Sequence, residues 1–124
     1  MSGKISCYIA ALALISMLVA VFANAVFVKN TAEHILLLAD YAENTATEQL
    51  SYLSKIYNYW NESLSLLKIS LSEEELDKIS LAIDEATICA KNQDEEEYKR
   101  SMARLRRAIE GIKKRESFSL ENIF

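Results

Sequence analysis

Proline is absent from this 124-residue chain, and glycine occurs only at Gly3 and Gly111. These two residue types interrupt helices most strongly, so the interior of the chain is free of helix breakers. We therefore predict long helices and an all-α fold. A chain of this length has room for one small domain beyond any membrane segment.

Cysteine and histidine are also scarce, which argues against several kinds of site. Cys7 and Cys89 lie far apart, so no disulfide framework is expected. His34 is the one histidine and lacks Glu-x-x-His spacing, while the acidic runs at 73–77 and 94–97 lack EF-hand spacing. The chain has no Gly-x-Ser-x-Gly elbow and no glycine-rich phosphate loop. We expect no catalytic residue, no cofactor, no metal and no enzyme activity.

Charge is missing from one long stretch, Ile5 to Val28, which is bounded by Lys4 and Lys29. A helix rising about 1.5 Å per residue would span roughly 36 Å there, enough to cross a hydrocarbon core about 30 Å thick. We predict that residues 1–29 form a transmembrane signal anchor in contact with membrane lipid. Cleavage as a signal peptide is the alternative, since Ala23-Asn24-Ala25 has the small-x-small pattern. An apolar core longer than the roughly 7–15 residues of a signal peptide favours retention.

Positive charge is missing from residues 30–54, where the charged residues are all acidic. The cytoplasmic flank of a membrane helix normally carries an excess of Lys and Arg. We therefore expect a single-pass protein of the cell membrane, with its amino terminus inside and residues 30–124 forming an extracytoplasmic helical bundle. Nucleic acid is not an expected partner of a domain in that location.

Beyond the anchor, apolar residues recur at helical spacing in four segments. The first segment either starts at a cap on Asn30 or Thr31 or continues directly from the anchor, and it breaks near Asn44. Short links predict antiparallel neighbours in a small bundle, with a tetratricopeptide-type repeat as the alternative. The predicted helices are 31–44, 46–70, 73–91 and 94–114. An apolar tail from Glu116 to Phe124 follows the last helix and is predicted to dock onto the bundle.

Capping boxes and apolar stripes mark these helices. Thr45 with Glu48, and Ser72 with Glu75, have the spacing at which a hydroxyl accepts from the amide three residues later. The stripe of the second helix alternates three and four residues and must be buried. Its members are Leu50, Leu53, Tyr57, Trp60, Leu64, Leu67 and Leu71. The stripe of the last helix comprises Tyr98, Met102, Leu105, Ile109 and Ile112.

Acidic and basic residues are separated along the chain. Residues 31–97 hold 15 Asp/Glu and 4 Lys/Arg, whereas residues 99–115 hold 8 Lys/Arg and only Glu110. The basic helix either neutralises the acidic helices or meets an acidic partner or anionic lipid, and we favour neutralisation. Tyr52 and Tyr59 flank the second stripe, where they are free for contact. The candidate partner contacts are Tyr52, Tyr59, Arg100, Arg104 and Arg107.

Three features together resemble a known family. They are the N-terminal anchor, the Trp60 helix that runs through Leu64-Ser65-Leu66-Leu67 into Glu75-Leu76-Asp77-Lys78-Ile79, and the ending Phe118-Ser119-Leu120-Glu121-Asn122-Ile123-Phe124. The chain resembles, over essentially its full length, an uncharacterised family of small single-pass bacterial membrane proteins. That family is known only as a domain of unknown function and is common in clostridia-like lineages. Its members often have a histidine where this chain has Glu73. The resemblance implies association with another membrane protein.

We therefore expect a membrane-anchored helical interaction or scaffold module that binds or stabilises another membrane protein. The alternative is an extracytoplasmic ligand or ion sensor with a cavity inside the bundle near Trp60. A third expectation is a homo-oligomer formed through the Leu50 to Leu71 seam.

Overall fold

A computed structural model describes residues 2–123, except for the side chains of Ser119 and Ile123. Met1 and Phe124 lie outside the described residues, and so does the docking predicted for Phe124. Within the described part every regular element is an α-helix, as predicted. The helices are α1 Ser2–Glu43, α2 Gln49–Leu67, α3 Glu73–Lys91 and α4 Glu95–Ile123.

The four helices pack as a ring in chain order. α1 contacts α2 and α4, and α3 contacts α2 and α4, while neither diagonal pair touches within the described residues. Tyr98 near the start of α4 donates to the carbonyl of Ala42 near the end of α1, at 3.2 Å. Further along, Lys113 pairs with Glu33 at 3.6 Å. These two contacts make α1 and α4 antiparallel, as expected of helices joined by short links.

α1 combines two environments in one continuous helix. Residues 5–23, named here the apolar segment, are exposed along their whole length, whereas from Ala25 onward one side of the helix is buried. By length and composition α1 could cross a membrane, a property that it shares with signal sequences. The prediction of a long apolar N-terminal helix is confirmed, and the crossing itself stays a prediction.

The first bundle helix has no separate beginning. Thr31 Oγ1 donates to the carbonyl of Phe27 at 2.8 Å, inside α1, and so caps no new helix. The predicted helix 31–44 is therefore the C-terminal part of α1. α1 ends at Glu43, next to the break predicted near Asn44.

One of the two capping boxes forms completely. Ser72 Oγ accepts from the Glu75 amide at 3.2 Å, and the Glu75 carboxylate accepts from the Ser72 amide at 3.0 Å. Thr45 Oγ1 accepts from the Glu48 amide at 3.3 Å, but α2 begins only at Gln49, without a side-chain cap. The Thr45 bond closes a turn in the link, so α2 starts later than predicted.

The core face of α2 is rotated relative to the predicted stripe. Ile56 and Ser63 are buried, whereas Leu50 and Tyr57 are exposed, which corrects their assignment to the core. The predicted and observed faces share Leu53, Trp60 and Leu67, which are seven residues apart. Between them the prediction placed Tyr57 and Leu64, whereas the buried residues are Ile56 and Ser63, and Leu64 is only partly buried against the core. Ile56 carries no polar atom, whereas burying the Tyr57 hydroxyl would require a partner. The residues buried as predicted are Leu53, Trp60, Leu67 and Leu71.

α4 is longer than predicted and has the predicted core. It runs past residue 114 to Ile123, so the tail forms the last turns of α4 instead of folding back. Phe118 is exposed in those turns. No proline or glycine follows Gly111, so nothing in the sequence ends the helix earlier. The buried residues are those of the predicted stripe, Tyr98, Met102, Leu105, Ile109 and Ile112.

Candidate functional site

The five predicted partner contacts fall on two separate sides of the bundle. Tyr52 and Tyr59 lie on α2, and Arg100, Arg104 and Arg107 lie on α4. α2 and α4 occupy opposite corners of the ring and have no contact within the described residues. The structure therefore offers two candidate surfaces and does not unite the five residues in one site.

The surface that carries Tyr52 and Tyr59 serves largely to pack α1 against α2. Tyr52 is half-buried, and its ring stacks on Tyr41 with centroids 5.6 Å apart. Lys55 Nζ lies 4.9 Å from the Tyr52 ring centroid, within cation–π range. Tyr59 is also half-buried, and the centroid of its ring lies 4.2 Å from the centroid of the His34 ring. These contacts leave little of either tyrosine for a partner.

Several basic residues of α4 neutralise acidic residues of neighbouring helices. Arg106 bridges Asp40 and Glu43 at the end of α1, with both nitrogen–oxygen distances at 2.7 Å. Lys113 pairs with Glu33, which also lies on α1. Arg115 pairs with Glu75 and Arg104 with Glu85, both on α3, whereas Arg100 pairs with Glu97 within α4 itself. Neutralisation, the interpretation favoured from the sequence, accounts for these residues.

A groove with an apolar floor runs between α3 and α4 on the outside of the bundle. We call it the α3–α4 groove. Its volume is about 310 Å³, and a second hollow of about 290 Å³ continues it past Gly111. Leu81 in its floor is 59% exposed. The groove is lined by Lys78, Leu81, Ala82, Glu85, Arg104, Arg107 and Ala108.

The rim of the α3–α4 groove is mainly basic. Arg104 is held by Glu85 at 3.3 Å and by the Ser101 hydroxyl at 3.2 Å. Neither Arg107 nor Lys78 forms an ion pair with any residue that the structure describes. Two positive charges beside an exposed apolar floor are therefore available to an acidic, partly apolar partner.

Two of the predicted arginines line this groove, and one stripe of α4 carries all three. Exposed residues recur there at alternating spacings of four and three: Arg100, Arg104, Arg107, Gly111 and Lys114. The sequence pattern alone did not indicate that Leu81 and Gly111 line the groove and its continuation. Leu81 and Ile88 lie seven residues apart and off the core face of α3, a spacing that could have identified an outward apolar strip.

A hydrogen-bond network joins the end of the apolar segment to the end of α2. Asn24 Nδ2 donates to the carbonyl of Leu66 at 3.2 Å, and Asn24 Oδ1 accepts from the Ser70 hydroxyl. The Leu66 carbonyl also accepts from the Ile69 amide at 3.2 Å, so Asn24 adds a second bond at the C-terminal end of α2 from a different helix. The sequence did not indicate this role.

A second groove, the basal groove, lies beside this network. Its volume is about 700 Å³, and its walls are mainly apolar. Glu116 at its edge is only 9% exposed, and burial raises the pKa of its carboxyl, an effect that Arg115 partly opposes. The lining residues are Ala20, Val21, Ala23, Asn24, Ala25, Phe27, Leu66, Ile69, Ser70 and Glu116.

The surroundings of Trp60 bear on the sensor alternative. Trp60 is 2% exposed, and its indole nitrogen donates to the Ser80 hydroxyl at 2.8 Å. Trp60 lines neither the α3–α4 groove nor the basal groove. Among the described residues, no group of three or more His, Cys, Asp or Glu could hold a metal ion.

Comparison with known proteins gives one match. The model of a family described as a domain of unknown function (DUF4363) matches residues 25–123. No curated protein and no solved structure matches the chain. The matched range begins at Ala25, where burial in the bundle begins, so it covers the four-helix bundle without the apolar segment.

Proposed function

The chain belongs to the family of the domain of unknown function DUF4363, and we propose that it is a membrane-anchored helical interaction module that binds or stabilises another membrane protein. The observation that carries this proposal is the division of α1 at Ala25. Before Ala25 the helix exposes large aliphatic side chains on every side, and after it the helix is part of the bundle. An exposed apolar surface of that length is suited to lipid.

In this proposal residues 1–29 stay attached as a single-pass anchor, and residues 30–124 lie outside the cell. The hydrogen bonds of Asn24 to Leu66 and Ser70 support retention, because cleavage after Ala25 would remove them. The absence of Lys and Arg from residues 30–54 supports the orientation.

The orientation is tested by labelling exposed Lys91 after its replacement by cysteine. In a Cys7→Ala, Cys89→Ala background, a membrane-impermeant maleimide should label Lys91→Cys on intact cells. Labelling that requires permeabilisation would mean that the bundle faces the cytoplasm.

The partner in this proposal docks in the α3–α4 groove as an amphipathic helix with acidic residues beside an apolar stripe. Leu81 offers an exposed apolar anchor point, and Arg107 and Lys78 carry charges without an ion pair among the described residues. Gly111 has open space around it, which lets a partner backbone approach closely. Helix-in-groove recognition combines apolar anchors with flanking charge in this way.

The test places a photo-crosslinking amino acid at Leu81 in the full chain, in living cells. Leu37 on α1 is the matched control, because it is also a leucine, is 48% exposed and lies on a helix that does not touch α3 within the described residues. We expect position 81, and not position 37, to crosslink a membrane protein through a segment rich in Asp and Glu. Arg107→Glu should reduce the yield.

Two outcomes would contradict the proposal. Equal crosslinking from positions 81 and 37 would remove the α3–α4 groove as the docking site. Crosslinking to a second copy of this chain would favour a homo-oligomer. The seam predicted for a homo-oligomer is less available, since Leu53, Trp60 and Leu67 are buried in the core of the same chain.

The sensor alternative has less support from the structure. A sensor of that kind needs a cavity inside the bundle, whereas the α3–α4 groove and the basal groove both open on its surface. Near Trp60, the hydrogen bond to Ser80 satisfies the indole without a ligand.

A further inference from the structure

We propose that the corner between α2 and α3 inserts into the bilayer beside the anchor, and that the basal groove holds a phospholipid acyl chain. The exposed apolar residues at this corner are Leu66, at the end of α2, and Ile69, in the link that follows. Exposed Lys68 lies between them, with a stem long enough to reach the lipid headgroups. The inference rests on the proposed membrane anchor and adds a second, independent contact with lipid.

Exposure of the corner is the first observation. Ile69 is 71% exposed, and Leu66 is also exposed, and both face the apolar segment across the basal groove. A link between two helices in water is normally polar, and large aliphatic side chains at its tip are costly to hydrate. In contact with lipid the same side chains are favourable.

The level of the corner along α1 is the second observation. Lys4 and Asn24 bound the uncharged, exposed part of α1 and lie twenty positions apart, so at about 1.5 Å per residue they are separated by about 30 Å, the thickness of the hydrocarbon core. The side chain of Asn24 bonds both to Leu66 and to Ser70. The corner is thereby held at the level where the hydrocarbon core ends, and Ile69 lies between its two tethered residues.

The basal groove is the third observation. One wall comes from the apolar segment, including Ala20 and Val21, and the other comes from Leu66 and Ile69. Three lining residues carry polar side chains: Asn24 and Ser70, which bond to each other, and Glu116, which is largely buried at the edge of the groove. The remaining lining residues are apolar. A wall shared with the anchor makes the groove continuous with the lipid-facing surface, and an acyl chain matches its chemistry.

The experiment measures the depth of a fluorophore attached to the full chain in phosphatidylcholine vesicles. Single cysteines carrying an environment-sensitive dye replace Ile69, Ile88 or Leu14 in a Cys7→Ala, Cys89→Ala background. Ile88 is the matched control, because it is the same residue type, is 57% exposed and lies at the opposite end of the bundle. Leu14 lies in the middle of the anchor and reports on the anchor itself.

We expect nitroxide-labelled lipids to quench most of the fluorescence at positions 69 and 14, and little at position 88. Aqueous iodide should quench in the reverse order. If position 14 is quenched by lipid and position 69 is as open to iodide as position 88, the anchor stands and this inference is overturned. If position 14 is not quenched by lipid, the anchor and the inference both fail.

Occupation of the groove by an acyl chain is tested in the same vesicles with a phosphatidylcholine that carries a diazirine in mid-chain. Light should attach this lipid to the peptide that contains Leu66 and Ile69, and not to the peptide around Ile88. Position 69 shielded from both iodide and nitroxide lipid would mean that protein covers the corner, and it would overturn the lipid assignment.

Discussion

The side-chain amide of Asn24 donates to the carbonyl oxygen of Leu66 across 3.2 Å, so the polar residue that follows the apolar segment also bonds to the C-terminal end of α2. Asn24 further accepts from Ser70, at the start of the next chain reversal. One side chain therefore ties the proposed anchor to both sides of the α2–α3 corner. Since α1 is continuous through this point, anchor and bundle are joined as one body.

Replacing Asn24 by leucine should lower the free energy of unfolding of the full chain by about 1 kcal/mol, since Leu66 and Ser70 lose a hydrogen-bond partner. Leucine is similar in size and keeps the segment apolar. Thermal unfolding in detergent, followed by circular dichroism, is the measurement. Asn30→Leu, at an exposed position of the same helix, is the control. Equal midpoints for the two variants would show that the network adds no stability.

Ser80→Ala should destabilise the bundle by roughly 1–3 kcal/mol, because it leaves the buried indole N–H of Trp60 without an acceptor. Ser65→Ala, on the exposed side of α2, should leave the unfolding midpoint unchanged. Trp60 is the one tryptophan of the chain, so its fluorescence reports unfolding directly. A midpoint for Ser80→Ala equal to that of the control would contradict this role.

Glu75→Gln should lower the unfolding midpoint at neutral pH. The hydrogen bond from Arg115 holds the pKa of the Glu75 carboxyl below its ordinary value, so the folded state favours the ionised form. That contribution is present above the unfolded-state pKa of about 4.3 and is lost as pH falls through the folded value. Glutamine still accepts from the Ser72 amide, so the substitution isolates the charge. The gap between variant and natural chain should therefore shrink below about pH 4.

Glu116→Gln should have the opposite effect. Burial raises the pKa of the Glu116 carboxyl, so the folded state favours the protonated form. The contribution to stability is complete below the unfolded-state pKa of about 4.3 and is lost as pH rises through the folded value. The variant should melt above the natural chain at neutral pH and together with it near pH 4. Glu121→Gln, at an exposed position of α4, should change neither midpoint.

The sequence determined those features that depend on residues close together in the chain. Hydropathy over Ile5 to Val28 was enough to predict a long apolar helix. The spacing of Ser72 and Glu75 predicted a capping box, because its two bonds join neighbouring turns. The buried stripe predicted for α4 was confirmed, because the apolar residues of this helix lie on a single face.

The α2 face shows where such reasoning stops. The apolar residues of α2 are compatible with two faces, and both faces include Leu53, Trp60 and Leu67. Periodicity alone therefore does not decide which residue between Leu53 and Trp60 is buried. The positions of α1 and α3 around α2 decided in favour of Ile56 over Tyr57. Helix ends were also uncertain, since α1 and α4 continue through positions where the local sequence permits either a stop or a further turn.

The candidate surfaces belong almost entirely to the tertiary structure. The sequence identified Arg104 and Arg107 as basic and exposed. Only the pairing of α3 with α4 brings Leu81 beside these arginines, where it forms part of the floor of the α3–α4 groove. Asn24 and Leu66 are 42 residues apart, and no local rule relates them. Sequence alone thus determined the helices and the proposed anchor, because these follow from hydropathy and contacts within a few turns. The tertiary structure decided which faces meet, because that depends on packing between helices distant in the chain.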